Sequence, residues 1–213
     1  NQELRANLDE LYAQDQYFRQ AKGGWRVHGD TIRKIETASA KKLLGWIKEY
    51  GYPGEDMIGV ADTLEQLPRF SIVIQRQTKA RKGYDFTDVL QEAVRQGRIA
   101  PQAAAYLLDQ QAGHNKYGSR AFVKINCSSC SNDDGLQRLG DFLVMKMSEE
   151  EREQVNARRK KLGLEPLEEY RRKIIHSTAD SRFKLSYTWS VMSYVVPSKE
   201  AAKVLMDGLT QLE

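Results

Sequence analysis

Five polar residues of the chain have side chains that could together bind a ligand: Gln75, Asp109, His114, Tyr117 and Arg120. A carboxylate can accept a proton or orient a neighbouring group, a phenol can donate a hydrogen bond, and a guanidinium offers an anion two parallel donors. Four of the five occur in one short stretch, where an apolar helical pattern gives way to a strand-like one. Because binding sites are commonly built at such junctions, we predict a polar cleft near Asp109, Tyr117 and Arg120.

The same residues also allow a purely structural interpretation. A buried hydrogen-bonded network can be formed by an aspartate near a helix end, a Tyr-Gly turn and an arginine at a strand edge. The pattern favours such a network over a catalytic site. His114 is the best candidate for a general base among the three histidines, but it falls in a turn, where an exposed side chain is equally expected. Gln75 closes a very apolar helical run and can face either a cleft or solvent.

A second charged pair lies on the first predicted helix, over residues 3–20. Leu4, Leu8 and Leu11 form its apolar stripe, and Asp15 falls on the same stripe with Arg19 one turn later. This spacing favours a partly buried helical ion pair. The alternative, in which Asp15 faces a pocket, stays open.

Helical periodicity continues through most of the chain, punctuated by glycine and proline. Gly23-Gly24 is predicted to end the first helix, and Trp25 to lie in the connection that follows. Further helices are predicted at 31–50 and at about 63–78.

Two later helices carry clear end signals. Pro101 and Gly113 delimit one of them, since proline suits a first helical turn and glycine a position just past the last. Ser148 caps another, which begins with glutamates and ends with basic residues, in the order that complements the helix dipole.

The last part of the chain changes to a strand-like pattern. Short apolar runs at 122–125 and 142–145 are predicted strands, and the alternation from Phe183 to Val191 predicts a third. Ser198 then caps a final helix. We predict a mainly helical α+β fold, with six or seven helices and a small three-stranded antiparallel sheet, in a single domain over residues 1–213.

Composition restricts the class of protein more than the function. Of the 213 residues, 40% are hydrophobic and 29% are charged, and no apolar run approaches the roughly 20 residues of a membrane span. The formal net charge of +4 permits an anionic partner. Nucleic acid binding is not expected, because 29 acidic residues offset the basic clusters, which also lack interleaved aromatic residues. These clusters are Lys79, Arg81 and Lys82, then 158–161, then 171–173.

The two cysteines, Cys127 and Cys130, form a CxxC motif in a polar, turn-rich stretch. A zinc site normally has four ligands and the chain has no second cysteine pair, so we predict no metal and no cofactor. A redox CxxC opens a helix, whereas this one falls between two predicted strands, which favours a structural disulfide or two inert thiols. The motif, with a chain that opens at Asn1, favours an extracytoplasmic protein, periplasmic or secreted, whose targeting segment is absent.

Several short motifs follow one another along the chain. They are Leu11-Tyr12 with Asp15-Gln16 and Arg19; Tyr50-Gly51-Tyr52-Pro53-Gly54; Ile74-Gln75; Ala105-Tyr106-Leu107 with Asp109; Tyr117-Gly118-Ser119; and Arg158-Arg159, Gly163-Leu164, Pro166-Leu167 and Tyr170. Their order and spacing resemble a bacterial family of uncharacterised domains, a domain-of-unknown-function family. The resemblance covers roughly residues 1–172 and leaves 173–213 as a C-terminal strand and helix extension. It implies a shared fold and cleft but no reaction, since the family has none assigned.

The chain departs from the family pattern at three polar positions. Arg76 stands where the family has His after Gln, Gln110 where it has Arg after Asp, and Arg120 where it has Gln closing the Tyr-Gly motif. These positions are the ones best suited to chemistry, so the resemblance implies that this member has lost a reaction or binds a different molecule. We therefore expect a non-catalytic binding or interaction domain, with a small anionic ligand or a protein as its partner.

Two other functions stay open. One is a hydrolase-like enzyme acting on a small anionic substrate, in which Arg120 would hold the anion and Asp109 would act as a base. The other is nucleic acid binding through the basic helix ends. None of the motifs GxSxG, HExxH, P-loop or GxGxxG occurs in the sequence.

Overall fold

The computed structural model describes residues 1–60, 67–127, 129–130, 142–180, 182–183 and 190–212. The chain forms two compact units, Asn1–Lys116 and Tyr117–Glu213. They are called unit 1 and unit 2, and each is described by itself.

Unit 1 is helical in its described residues. Its helices are α1 (Gln2–Gln20), α2 (Gly24–Tyr50), α3 (Glu55–Ile58), α4 (Ser71–Arg76), α5 (Thr87–Arg95) and α6 (Pro101–Ala112), with a 3-10 turn at Lys79–Arg81 between α4 and α5. α1 buries Leu4, Leu8 and Leu11 along one stripe, and this stripe packs mainly against α2. α4 packs against α1, α2 and α6, so it lies at the centre of the unit.

Two buried glutamines fix the segment between α4 and α5. The Gln77 side chain donates to the Glu36 carbonyl at 3.2 Å and accepts the Tyr84 N–H at 3.1 Å. The Gln111 side chain donates to the carbonyls of Gln77 and Tyr84, at 3.0 and 2.9 Å, and accepts the Phe86 N–H at 3.1 Å. These bonds satisfy backbone groups that burial would otherwise leave without partners, so they hold the basic 3-10 turn in a defined position.

Unit 2 contains a four-stranded sheet with helices on both faces. Its strands are β1 (Phe122–Cys127), β2 (Leu143–Met145), β3 (Val191–Val196) and β4 (Leu209–Gln211), in the order β3-β1-β2-β4. β1 pairs antiparallel with β2 and parallel with β3, and β2 pairs antiparallel with β4. The helices of unit 2 are α7 (Glu149–Lys161), α8 (Leu167–Ala179) and α9 (Lys199–Asp207).

The sheet is buried on both faces at β1, where Phe122 and Val123 point to opposite sides and are both buried. Phe122 belongs to a cluster with Val155 of α7 and Tyr170 of α8. Val123 and Ile125 belong to a second cluster, which contains Ala202 of α9.

The predicted mainly helical α+β fold is confirmed, but its details differ. The described residues contain nine α-helices and four strands instead of six or seven helices and three strands. The sheet is mixed, whereas an antiparallel sheet was predicted. The alternation of apolar residues shows which face of a strand is buried. Because this alternation is the same in parallel and antiparallel pairs, it does not predict the direction of the neighbouring strand.

The strands at the end of the chain also differ from the prediction. Most of the predicted strand from Phe183 to Val191 lies outside the described residues, and β3 begins at its last position. The final helix is confirmed with its Ser198 cap, whose side chain accepts the Ala201 N–H at 3.3 Å. That helix ends at Asp207, and Leu209 is the first residue of β4.

Two helix boundaries of unit 1 were wrong. α2 begins at Gly24, so Trp25 lies in the first turn of a helix and not in a connection. The helix predicted over 63–78 is confirmed only as α4, because Pro68 and Arg69 precede it in a turn. Its predicted first residues, 63–66, lie outside the described ranges.

Local end signals were the more reliable ones. α6 begins at Pro101 and ends before Gly113, and Ser148 forms a reciprocal capping box with Glu151 at the start of α7. Among the described residues, no helix combines the length and apolar character needed to cross a membrane.

Candidate functional site

Two buried carboxylates of unit 1 are surrounded by arginines. Asp15 and Arg19 come from α1, Glu36 from α2, Arg76 from the end of α4 and Arg81 from the 3-10 turn. We call these five residues the arginine cluster. Asp15 and Glu36 are only 6% and 7% exposed, which is unusual for acidic side chains and requires that they be paired.

Arg19 joins the two carboxylates. Its Nε lies 3.3 Å from the Asp15 carboxylate, and its Nη2 donates a hydrogen bond to Glu36 Oε1. The i,i+4 pair of Asp15 and Arg19 is confirmed as predicted. Glu36 connects this pair to α2, so the ion pairs form a link between the two helices.

The two outer arginines each hold one carboxylate. Arg76 binds Asp15 through two parallel hydrogen bonds, from Nε to Oδ1 and from Nη2 to Oδ2, each of 3.3 Å. Arg81 Nη1 donates to Glu36 Oε1 at 3.3 Å. The cluster is therefore a chain of contacts that runs from Arg76 through Asp15, Arg19 and Glu36 to Arg81.

Trp25 lies beside the arginine cluster and contacts three guanidinium groups, two of which belong to the cluster. The guanidinium carbons of Arg81, Arg19 and Arg33 lie 4.9, 5.5 and 5.6 Å from its ring centroid. Attraction between each guanidinium cation and the aromatic ring helps to hold these three side chains close together around Trp25. Trp25 thereby fixes the positions of positive groups that would otherwise repel each other.

The outer arginines retain donors for a ligand. The Arg81 side chain is 48% exposed and that of Arg76 is 29% exposed. Nη1 of Arg76, and Nε and Nη2 of Arg81, donate no hydrogen bond to any described residue of the chain. Three guanidiniums against two carboxylates leave one surplus positive charge, and nearby Arg33 is itself held by the exposed Asp30 at 3.1 Å.

The five residues predicted for the ligand site belong to different parts of the chain. Gln75, half-buried, precedes Arg76 near the end of α4, while Asp109 is buried in α6. His114 is exposed after α6, and its Nδ1 lies 3.2 Å from the Ala112 carbonyl oxygen. Tyr117 and Arg120 begin unit 2, where Tyr117 is buried and Arg120 is half-buried.

Sequence reasoning identified part of the arginine cluster and missed the rest. It found the Asp15–Arg19 pair and singled out Arg76 as a departure from the family pattern. It missed Glu36, and it named Arg81 only as part of a basic cluster considered for nucleic acid binding. Glu36 carried a usable signal, because it lies on the same helical face as the buried residues Ile32 and Leu43.

The two cysteines of the CxxC motif are joined in a disulfide. Cys127 and Cys130 form a disulfide with a Cα–Cα distance of 5.3 Å, and Ser129 Oγ donates to the Pro197 carbonyl at 3.1 Å. A search of the described residues finds no group of three or more histidine, cysteine or acidic side chains placed to hold a metal ion.

The chain was compared with known families and structures. No protein-family model, no curated protein and no solved structure matches it.

Proposed function

We propose that this chain is a non-catalytic binding domain whose unit 1 takes a small anionic ligand at the arginine cluster. The observation that supports this proposal most directly is the position of Arg76 and Arg81. Each uses part of its guanidinium to hold a buried carboxylate and keeps further N–H groups for an anion. A carboxylate, phosphate or sulfate group is the natural ligand of a guanidinium fork.

The buried carboxylates hold the arginines and are poorly suited to acid–base catalysis. Both oxygens of Asp15 accept hydrogen bonds, and Oε1 of Glu36 accepts from Arg19 and Arg81. A general base needs an oxygen within reach of a substrate proton. Here the carboxylates instead fix the direction of their arginines before a ligand arrives, which lowers the entropic cost of binding.

The family resemblance is also part of this proposal, because several residues of the arginine cluster belong to its motifs or lie beside them. Asp15 and Arg19 belong to one of the motifs that carry the resemblance, and Arg76 directly follows another, where the family has His. A guanidinium offers an anion two parallel N–H donors, whereas histidine is the side chain most often used for proton transfer. The substitution suits constant binding of an anion better than proton transfer.

Calorimetric titration of the whole chain with phosphate, sulfate, citrate and acetate tests the proposal. We expect at least one of these anions to bind, and Arg76→Gln and Arg81→Gln each to weaken its affinity by about tenfold, as for loss of a charge-assisted hydrogen bond. Arg95→Gln is the matched control, because Arg95 is an exposed arginine of α5 whose ion-pair partner among the described residues is Glu92 alone. Equal affinities for all three variants would overturn the proposal.

A parallel assay tests for catalysis. Turnover of a panel of esters, phosphate esters and peptides, abolished by Asp109→Ala, would establish the hydrolase-like alternative instead. We expect no turnover.

A further inference from the structure

We propose that the outward face of α2 docks an acidic helix of another protein. The inward face of this helix is buried through residues such as Ile32 and Leu43, and Glu36 on that side joins the arginine cluster. The opposite face is exposed along almost the whole helix. This surface is therefore separate from the proposed anion site, and either can exist without the other.

A column of lysines runs along the exposed face. Lys34, Lys41 and Lys48 recur every seventh residue and are all exposed, with Val27 continuing the column towards the helix start. Seven residues of an α-helix rise about 10.5 Å and return to within about 20° of the same direction, so the three lysines form a column along one face. None of the three lysines forms an ion pair with a described residue.

A second column beside the lysines contains small residues. Thr31, Ala38 and Gly45 also recur at seven-residue spacing and are exposed. Apart from the neighbouring backbone of α2 itself, a Cβ added at Gly45 would meet no atom of the described residues within 4 Å. Small residues leave room for the side chains of a second helix, while the lysines determine which helix is accepted.

The charges on this face favour an acidic partner over the alternatives. A second copy of the chain in register would place lysine against lysine in either orientation, which is repulsive. A nucleic acid strand carries a phosphate about every 3.4 Å, far more densely than the lysines. A helix with Glu or Asp at every seventh position matches the lysine spacing. Asp30, an exposed acidic residue one helical turn before Lys34, is already bound to Arg33, and Glu49 is the exposed acidic residue beside Lys48.

Fluorescence anisotropy with a labelled helical peptide of about four heptads tests this proposal. The probe carries Glu at every seventh position and Ala or Leu at the neighbouring contact positions. Two further peptides serve as comparisons: one has Lys in place of the periodic Glu, and one has the same composition in scrambled order. A poly-uridine oligonucleotide of similar charge is the fourth probe.

The matched variants are Lys41→Glu and Lys42→Glu, which make the same charge change at adjacent exposed positions of α2. We expect Lys41→Glu to weaken binding of the Glu peptide by about tenfold and Lys42→Glu to weaken it less than about twofold. The Lys41→Glu protein should in turn gain affinity for the Lys peptide. Binding of the Glu peptide should fall between about 50 mM and about 500 mM NaCl.

Several results would overturn the proposal. They are failure of the Glu peptide to bind, equal binding of the scrambled peptide, equal effects of the two substitutions, or a preference for the oligonucleotide. Gly45→Gln provides an independent variant, since glutamine is a good helix former and the added side chain occupies the small-residue column. It should weaken binding of the Glu peptide while the circular dichroism spectrum stays unchanged.

Discussion

The guanidinium carbon of Arg159 lies 4.7 Å from the centroid of the Tyr170 ring, deep inside unit 2. Arg159 is 0% exposed, and its Nε and Nη1 donate to the carbonyls of Glu165 and Tyr117 at 2.7 and 2.9 Å. A buried arginine of this kind connects the start of unit 2 to α7 and to the turn before α8. The notable feature is that a charged side chain, and not an apolar one, fills this position.

We expect Arg159→Met to lower the free energy of unfolding of unit 2 by about 3 kcal/mol. Methionine keeps most of the apolar volume, so the loss comes from two carbonyls that no longer receive a hydrogen bond. Urea unfolding followed by circular dichroism measures the change. Lys160→Met, at the exposed neighbouring position, is the control and should change stability by less than about 0.5 kcal/mol. Similar values for both variants would show that Arg159 is not a central contact.

Tyr170 carries a second buried contact of the same region. Its hydroxyl donates to the Ser119 carbonyl at 2.9 Å and lies 2.8 Å from Ser190 Oγ. Tyr170→Phe should destabilise unit 2 by about 1 to 2 kcal/mol. Ser190→Ala should cost less in the Tyr170→Phe background than in the parent protein, because the two hydroxyls are coupled. Additive effects in this double-mutant cycle would contradict a direct bond between them.

Arg19 should be more important for stability than Arg81, although both contact Glu36. Arg19→Met removes the group that joins Asp15 and Glu36 and leaves two buried carboxylates under-compensated, which should cost about 3 kcal/mol. Arg81 is about half exposed and donates one hydrogen bond, of 3.3 Å, to the described residues, so Arg81→Met should cost less than about 1 kcal/mol. Thermal and urea unfolding of the two variants measure this difference. The reverse order would assign the structural role to Arg81.

Gly83 is predicted to tolerate no side chain. A Cβ at this position would lie 2.6 Å from the Gln77 Cα and 2.7 Å from its carbonyl carbon, and backbone atoms cannot move aside cheaply. Gly83→Ala should destabilise unit 1 by about 2 kcal/mol and weaken anion binding, since the 3-10 turn that carries Arg81 would shift. Gly45→Ala is the counterpart and should raise stability by about 1 kcal/mol, because Gly45 is exposed within α2. A neutral effect of Gly83→Ala would show that the turn adapts.

Asp85 should make the start of α5 sensitive to acid. The Thr87 side chain and the Thr87 N–H, which donates to Asp85 Oδ1 at 2.8 Å, hold the pKa of this carboxyl below its usual value. A carboxyl whose pKa is lower in the folded state stabilises the protein above its unfolded-state pKa, and this contribution disappears as pH falls through its folded-state pKa. Because Asp85 is exposed, Asp85→Ala should cost less than about 1 kcal/mol near neutral pH, and progressively less below about pH 4. Urea unfolding of the parent protein and of Asp85→Ala, between neutral pH and below about pH 4, measures the difference in their free energies of unfolding. This difference would not change with pH if Asp85 contributed only packing.

The features that the sequence predicted correctly depend on neighbouring residues. The α7 cap depends on Ser148 and Glu151, three positions apart, and the Asp15–Arg19 pair lies within one helical turn. Both follow from the geometry of a single helix. The mainly helical class followed in the same way, from periodicity within each segment.

The features that were missed depend on contacts between distant residues. Arg76 reaches Asp15 across 61 positions, and Arg81 reaches Glu36 across 45. No local pattern indicates such a pairing. The start of α2 was missed for a different reason: the Gly23-Gly24 pair, interpreted only as a helix end, also leads directly into α2. The parallel pairing of β1 with β3 likewise joins segments about 70 residues apart and has no local signature.

That parallel pairing also determines the order in which the protein can fold as it is made. Unit 1 ends at Lys116, so a growing chain holds all of its residues before β3 exists. β1, by contrast, emerges from the ribosome long before its parallel neighbour β3, with β2, α7 and α8 between them. Long-range pairing of this kind is slow to form, and the waiting strand exposes apolar side chains. Newly made chains should therefore pass through a stage in which β1 is present without β3 and its apolar side chains, such as Phe122 and Val123, are open to aggregation.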